Sequence, residues 1–141
     1  MIARIWRGHT RSEDAESYTK LIEKTGLVDY QATPGNLGAA ILRKVTPQAG
    51  DARRPPNPQG GTAEFLVLSL WEDFDAIRRF AGPDAEKAHY YPEDDHYLLG
   101  KEPNVTHYEV TSRVGAFGPG FAEPGNEKLA AVRFAGGEHA E

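Results

Sequence analysis

Five histidines, two tryptophans and six tyrosines carry most of the chemistry open to this chain of 141 residues. A free imidazole exchanges its proton near neutral pH, so histidines are the first candidates for a general base. His89 and His96 bracket the run Tyr90-Tyr91-Pro92-Glu93-Asp94-Asp95. If that run folds back over a pocket, both imidazoles meet one ligand. His107 shares a face, by alternation, with Val105 and Glu109. It reads either as a pocket base or as a histidine hydrogen-bonded in or beside a sheet. Arg7 offers a planar fork that holds an enolate or carboxylate, or it is an exposed strand residue or the partner in a dimer salt bridge. Trp6, Trp71, Tyr90 and Tyr91 supply rings that either stack on a flat ligand or pack a core. The expected catalytic set is therefore His89, His107 and Arg7. The aromatic residues and His96 form the surrounding substrate-binding set.

Metal chemistry has weaker support. His89, Glu93 and His96 offer three ligands on paper, but their spacing matches no strong motif such as H-E-x-x-H, so no metal is expected. The chain has no cysteine, which excludes disulfides, thiolate nucleophiles and Cys-based zinc or iron–sulfur sites. Glu93-Asp94-Asp95 reads as a solvated acidic turn. His9 reads as a loop or cap residue, and His139 belongs to a tail.

These residues need elements to position them. Residues 2–7 read as a strand, with Ile2, Arg4 and Trp6 on one face and Ala3, Ile5 and Arg7 on the other. Thr10 and Glu13 have capping-box spacing, with Ser12 as the alternative cap. Ala15, Tyr18, Leu21, Ile22 and Thr25 then form a helical stripe that Gly26 is expected to end. Pro34-Gly35 is a turn into a second strand at 37–45. Residues 64–71 form the clearest strand, apolar on both faces. Asp73 caps the next helix, whose stripe is Phe74, Ile77 and Phe80-Ala81, and Gly82-Pro83 ends or kinks it. Residues 84–90 read as a further helical turn or two, 92–99 as irregular or short-helical, and 105–110 as the last strand.

The order strand, helix, strand, strand, helix, strand predicts an α+β, ferredoxin-like βαββαβ fold with one antiparallel sheet and two helices on one face. The compact domain is expected over residues 1–112, with a long hairpin loop at 46–62 and a Gly/Pro-rich C-terminal tail at 113–141. Apolar residues on the second sheet face, from Ile2 and Trp6 through Phe65 and Val67, predict a cover: a second subunit, a ligand cavity, or both. This is the bottom-up ground for expecting a homodimer. A net charge of -5 argues against a broad nucleic-acid surface. No apolar run is long enough to span a membrane, and the N-terminal residues lack a signal-peptide core, so a cytoplasmic location is expected.

Several stretches together resemble the antibiotic biosynthesis monooxygenase family of the dimeric α/β-barrel superfamily. They are Ile5-Trp-Arg-Gly8, Pro34-Gly35, Phe65-Leu-Val-Leu-Ser-Leu-Trp71, Ala76-Ile-Arg-Arg-Phe-Ala-Gly82, Tyr90-Tyr-Pro-Glu-Asp94 and His107-Tyr-Glu-Val110. The resemblance implies two ferredoxin-like subunits paired into a barrel. It also implies oxidation of an aromatic or polycyclic small molecule, without a cofactor, by a monooxygenase-like enzyme. Heme-degrading members of the family use an Asn on the first strand, a Trp late in the second helix and a His just beyond it. Here His89 matches the His, Phe80 stands at the Trp position and joins the expected substrate-binding residues, and no Asn precedes Asn36. Heme binding, or non-catalytic ligand binding, is thus the alternative the resemblance carries. Cofactor-free oxygen chemistry asks little of a protein. A deprotonated phenol or quinol donates an electron to oxygen itself, so the site need only remove a proton, hold the anion and exclude water.

Overall fold

The structure is a computed structural model, and it describes residues 1–46 and 61–115. The expected hairpin loop and tail fall largely on residues 47–60 and 116–141, outside the described residues. Four strands form one antiparallel sheet: β1 (Ile2–Arg11), β2 (Asn36–Val45), β3 (Thr62–Trp71) and β4 (Thr106–Glu109), in the order β2-β3-β1-β4. The helices are α1 (Ala15–Lys24), α2 (Gly26–Ala32) and α3 (Phe74–Ala81). This is the ferredoxin-like α+β arrangement that the pattern of elements predicts.

The β1–β3 pairing fixes which side chains share a face. Ile2 pairs with Trp71, Arg4 with Ser69, Trp6 with Val67 and Gly8 with Phe65. All of these point towards the helices. There they pack with Tyr18, Leu21, Ile22, Tyr30, Ala76 and Ile77 in the main core. The expectation that Ile2, Trp6, Phe65 and Val67 lie on the uncovered face is therefore reversed. β3 is apolar at every position from Phe65 to Leu68, so alternation separates its faces without telling which one meets the helices. The uncovered face is built instead from Ala3, Leu37, Ala40, Leu68 and Leu70. Ile5 continues it opposite Leu68, Leu42 opposite Leu66, and Tyr108 opposite Ala3.

Local chemistry explains where the elements begin and end. The Asp73 carboxylate accepts the Ala76 amide at 2.9 Å and starts α3, as its spacing predicts. Gly82 ends that helix with φ of 98°, a backbone state only glycine enters freely. The first helix starts differently from expectation. Thr10 belongs to β1, and a short 3-10 turn (Ser12–Asp14) replaces the capping box. Gly26 does not end the helix, because it stays out of the left-handed region; it opens α2 after a bend at Thr25. Residues 84–90 are not helical. They run as a turn and extended chain, tied to the segment before β4 by the bridge Lys87–Asn104. A 3-10 helix (Pro92–His96) follows.

Candidate active site

One cavity opens between the sheet and the α1–α2 bend. Arg4 and Trp6 from β1 and Val67 from β3 form its floor. Phe80 from α3 and the bend residues Thr25 and Gly26 form its walls, and His89, Tyr91 and Asp94 close it. Its volume is about 40 Å³, room for roughly three waters. The rings touch in series. The Phe80 and His89 centroids lie 4.9 Å apart, and His89 meets Tyr91 edge-on at 4.9 Å. Trp6 lies 6.4 Å from Tyr18 and 6.2 Å from Tyr90. The indole can lie in this position because Gly8, two residues on along the same strand face, has no side chain; a Cβ there would overlap the six-membered ring of Trp6.

Asp94 fastens the closing segment. Its Oδ1 accepts the Tyr18 hydroxyl at 2.9 Å, and its Oδ2 accepts the Tyr91 amide at 2.7 Å. The Tyr91 hydroxyl in turn donates to Asp29 on α2. The turn over the cavity is thus tied to α1 through Tyr18 and to α2 through Tyr91. Burial, and then the Asp94 charge, push the Tyr18 pKa well above the usual phenol range; burial and the bond to Asp29 do the same for Tyr91. Both hydroxyls are therefore neutral donors, not bases. Asp94 is buried, which corrects the reading of Glu93-Asp94-Asp95 as a solvated turn.

Arg4, on the same strand face as Trp6, is a buried cation beside the cavity. It is 2% exposed, and its guanidinium reaches across the sheet towards the chain before β4. Nη1 donates to the Ala85 carbonyl at 2.6 Å and lies 3.1 Å from His107 Nε2. Nη2 donates to the Lys87 carbonyl at 2.9 Å. The group also sits over the Phe80 ring, 5.8 Å from its centroid. A guanidinium can only donate, so His107 accepts at Nε2 and is neutral, with its proton on Nδ1. Burial and the Arg4 charge lower the His107 pKa, consistent with that state.

Of the residues singled out by type and spacing, the fold brings Trp6, Phe80, His89 and Tyr91 to one cavity. It does not bring the others. Arg7 lies on the uncovered face, 3.6 Å from Glu64. Trp71 is sealed in the core and gives its N–H to Ser69 Oγ at 2.9 Å. His107 braces Arg4 and packs edge-on against Phe74. Tyr90 gives its hydroxyl proton to the Glu102 carbonyl, and His96 is exposed on the 3-10 helix. Among the described residues no three His, Asp or Glu side chains gather as a metal-ligand group, so His89, Glu93 and His96 do not form one. Arg4, Tyr18 and Asp94 were missed. For Arg4 the signal was present: it stands between Ile2 and Trp6 on one strand face, a charge among inward residues.

No family model matches the chain, and no curated protein does. Among solved structures it is similar to a Bacillus cereus protein provisionally assigned as an antibiotic biosynthesis monooxygenase, with 14% sequence identity and a TM-score of 0.51. The match covers 82% of this chain and 97% of that one. The two share the ferredoxin-like fold. No helix among the described residues is long and apolar enough to cross a membrane.

Proposed function

We propose that this chain is a monooxygenase-like enzyme that oxidises an aromatic small molecule in the cavity above its sheet, without a cofactor and as a homodimer. The observation that carries the reading is the convergence of His89 with Trp6, Phe80 and Tyr91 on one cavity. The shared fold of the Bacillus cereus protein supports it. In this reading His89, exposed at the rim, takes the phenolic proton of a hydroxy-aromatic substrate. The phenolate passes one electron to oxygen, giving a phenoxyl radical and superoxide. These combine at a ring carbon, and the resulting hydroperoxide loses water to leave a quinone. One phenol and one oxygen become one quinone and one water. The aromatic walls exclude bulk water during these steps. The homodimer follows from the uncovered sheet face, where Leu42 and Tyr108 are 45% and 56% exposed beside Ile5, Leu66 and Leu68.

Oxygen consumption with a panel of phenols and hydroquinones tests the reading. We expect uptake with at least one single-ring member and its loss in His89→Ala. No uptake with any member would overturn it. The alternative is heme binding through His89, whose imidazole is exposed at the rim of the same cavity. A Soret band formed with hemin and lost in His89→Ala would favour that alternative.

A further inference from the structure

Arg4 and Trp6 share a feature that oxygen chemistry by itself does not require: each buries an unmatched polar group, Arg4 its charge and Trp6 its N–H. The Trp6 side chain is 9% exposed, and its Nε1–H is buried with no acceptor in hydrogen-bond geometry. The Tyr90 hydroxyl beside it gives its own proton to the Glu102 carbonyl at 2.6 Å, and the Trp6 N–H acts on its oxygen from outside good hydrogen-bond geometry, offsetting part of the rise that burial gives the Tyr90 pKa. Arg4 spends Nη1 on Ala85 and His107 and one Nη2 proton on Lys87. These partners are all uncharged.

The charge of Arg4 is equally unmatched. No carboxylate pairs with it among the described residues, and its partners are two carbonyls and a neutral imidazole. The one acid at the cavity, Asp94, is committed to the Tyr18 hydroxyl and the Tyr91 amide. Glu86 is exposed and acts on His107. Tyr30, the other ionisable group near Arg4, is held neutral by burial, its pKa pushed up to about 12. A buried cation without a counter-charge is costly, and burying an indole N–H without an acceptor adds to the cost. Both donors line the same cavity, two residues apart on one strand face. A ligand oxyanion would supply the missing charge and the missing acceptor together.

We propose that Arg4 and the Trp6 indole N–H form an anion-recognition site, and that the cavity takes a single-ring aromatic molecule by its anionic oxygen. The inference rests on the proposed function in placing the ligand in the same cavity, and it narrows the substrate to a small acid or ionised phenol. The size limit comes from the cavity, which takes the charged end of such a molecule and leaves its ring at the rim beside the exposed His89. Arg7, on the other face of the sheet, has no part in it.

The chain has two tryptophans, so an amide-correlation spectrum holds two indole N–H signals, and Trp6→Phe assigns them. Titration with benzoate, with 4-nitrophenolate and with neutral benzamide is the test. The Trp6 signal should move downfield with at least one anion while that of Trp71, already bonded to Ser69, stays in place. Benzoate alone moving it identifies a carboxylate site, and nitrophenolate alone a phenolate site. Benzamide should bind at least tenfold more weakly. Arg4→Met should weaken the anion at least tenfold and leave benzamide unchanged. Should Arg4→Met fail to fold, Trp6→Phe keeps the ring packing and should still cost severalfold, read by displacement of nitrophenolate absorbance. No movement with either anion, equal affinity for benzamide, or a Trp6 signal that responds only to Tyr90→Phe would overturn the site. Anion binding without oxygen uptake would remove the oxidase reading and leave this one standing. Uptake with a neutral quinol and no anion binding would do the reverse.

Discussion

The two faces of the sheet are built from the same strands and differ in nearly everything else. The covered face carries Trp6, Phe65, Trp71, a buried arginine and a serine; Trp71 is bonded to Ser69, while the Trp6 N–H and the Arg4 charge stay unmatched. The uncovered face carries Ala, Ile and Leu with few polar atoms. One face uses aromatic bulk to leave a small cavity with polar groups aimed at its contents. The other offers mostly aliphatic area, with the exposed Arg7–Glu64 pair beside it. Rings and buried charges hold a ligand in one pose, whereas an aliphatic surface gains only by removing area from water.

The sharpest break in this comparison is a charge on the aliphatic face. Leu68→Asp leaves every cavity residue in place. If the face is a dimer interface, each subunit then buries an unpaired carboxylate, at a cost of about 3–5 kcal/mol, or more than about a hundredfold in dimer affinity. Sedimentation velocity should show two-copy particles for the parent chain and one-copy particles for the variant. A parent chain that sediments as a single copy at high concentration would show that something else covers this face.

The next effect belongs to the covered face. Asp94→Ala removes the acceptor of two buried donors, the Tyr18 hydroxyl and the Tyr91 amide. Leaving both unpaired should cost about 2–4 kcal/mol, while Tyr18→Phe, which removes one donor cleanly, should cost about 1 kcal/mol. Urea unfolding of the three proteins measures both. Equal small losses would mean that the turn over the cavity is held by packing and not by Asp94.

Asp94 also shows why some of this site was legible in the sequence and some was not. The order of elements, the Asp73 cap and the Gly82 stop all follow from local chemistry, and the fold obeys them. Arg4 shares a face with Ile2 and Trp6 by simple alternation, so its burial followed once that face was known to meet the helices. Nothing in the chain says which face that is, because β3 is apolar on both sides. Asp94 sits between two other acids that stay exposed, and only the approach of Tyr18, 76 positions away, separates it from them. Long-range partners of this kind leave no local pattern. His89, Tyr91 and Phe80 meet for a related reason. The chain after Gly82 turns back as extended backbone, where helix-like spacing had suggested further turns.

Gly8→Ala probes the comparison with a single methyl. The new Cβ would overlap the Trp6 ring and crowd the Leu98 side chain, so the indole must shift. Overpacking of this kind costs about 1–3 kcal/mol. Gly100→Ala, where a Cβ meets nothing within 4 Å, should stay within about 0.5 kcal/mol. Thermal melts separate the two. A Gly8→Ala protein as stable as the parent, with its Trp6 indole signal unmoved, would mean that the ring slides aside freely and that the cavity floor is less rigid than its contacts imply.

The smallest expected effect joins the sheet edge to the cavity floor through pH. His107 accepts from Arg4 only while its Nε2 is unprotonated, and burial together with the Arg4 charge lowers its folded-state pKa. The sign follows from linkage. The unfolded chain takes up the imidazole proton at about pH 6.5, before the folded chain does. The contribution of His107 is therefore present above that pH and is lost as the pH falls through the lower folded value. His107→Gln keeps an acceptor for Arg4 and cannot titrate. Its unfolding free energy should fall less steeply than the parent's between about pH 7 and pH 5, with the two proteins closest in slope at higher pH. The anion site sharpens the test. A protonated His107 next to Arg4 adds a second cation near the cavity and weakens the positioning of the guanidinium at once. If anion affinity rises with acid in the parent chain but not in His107→Gln, the added charge outweighs the lost brace; if it falls, the hydrogen bond from Arg4 is the larger influence.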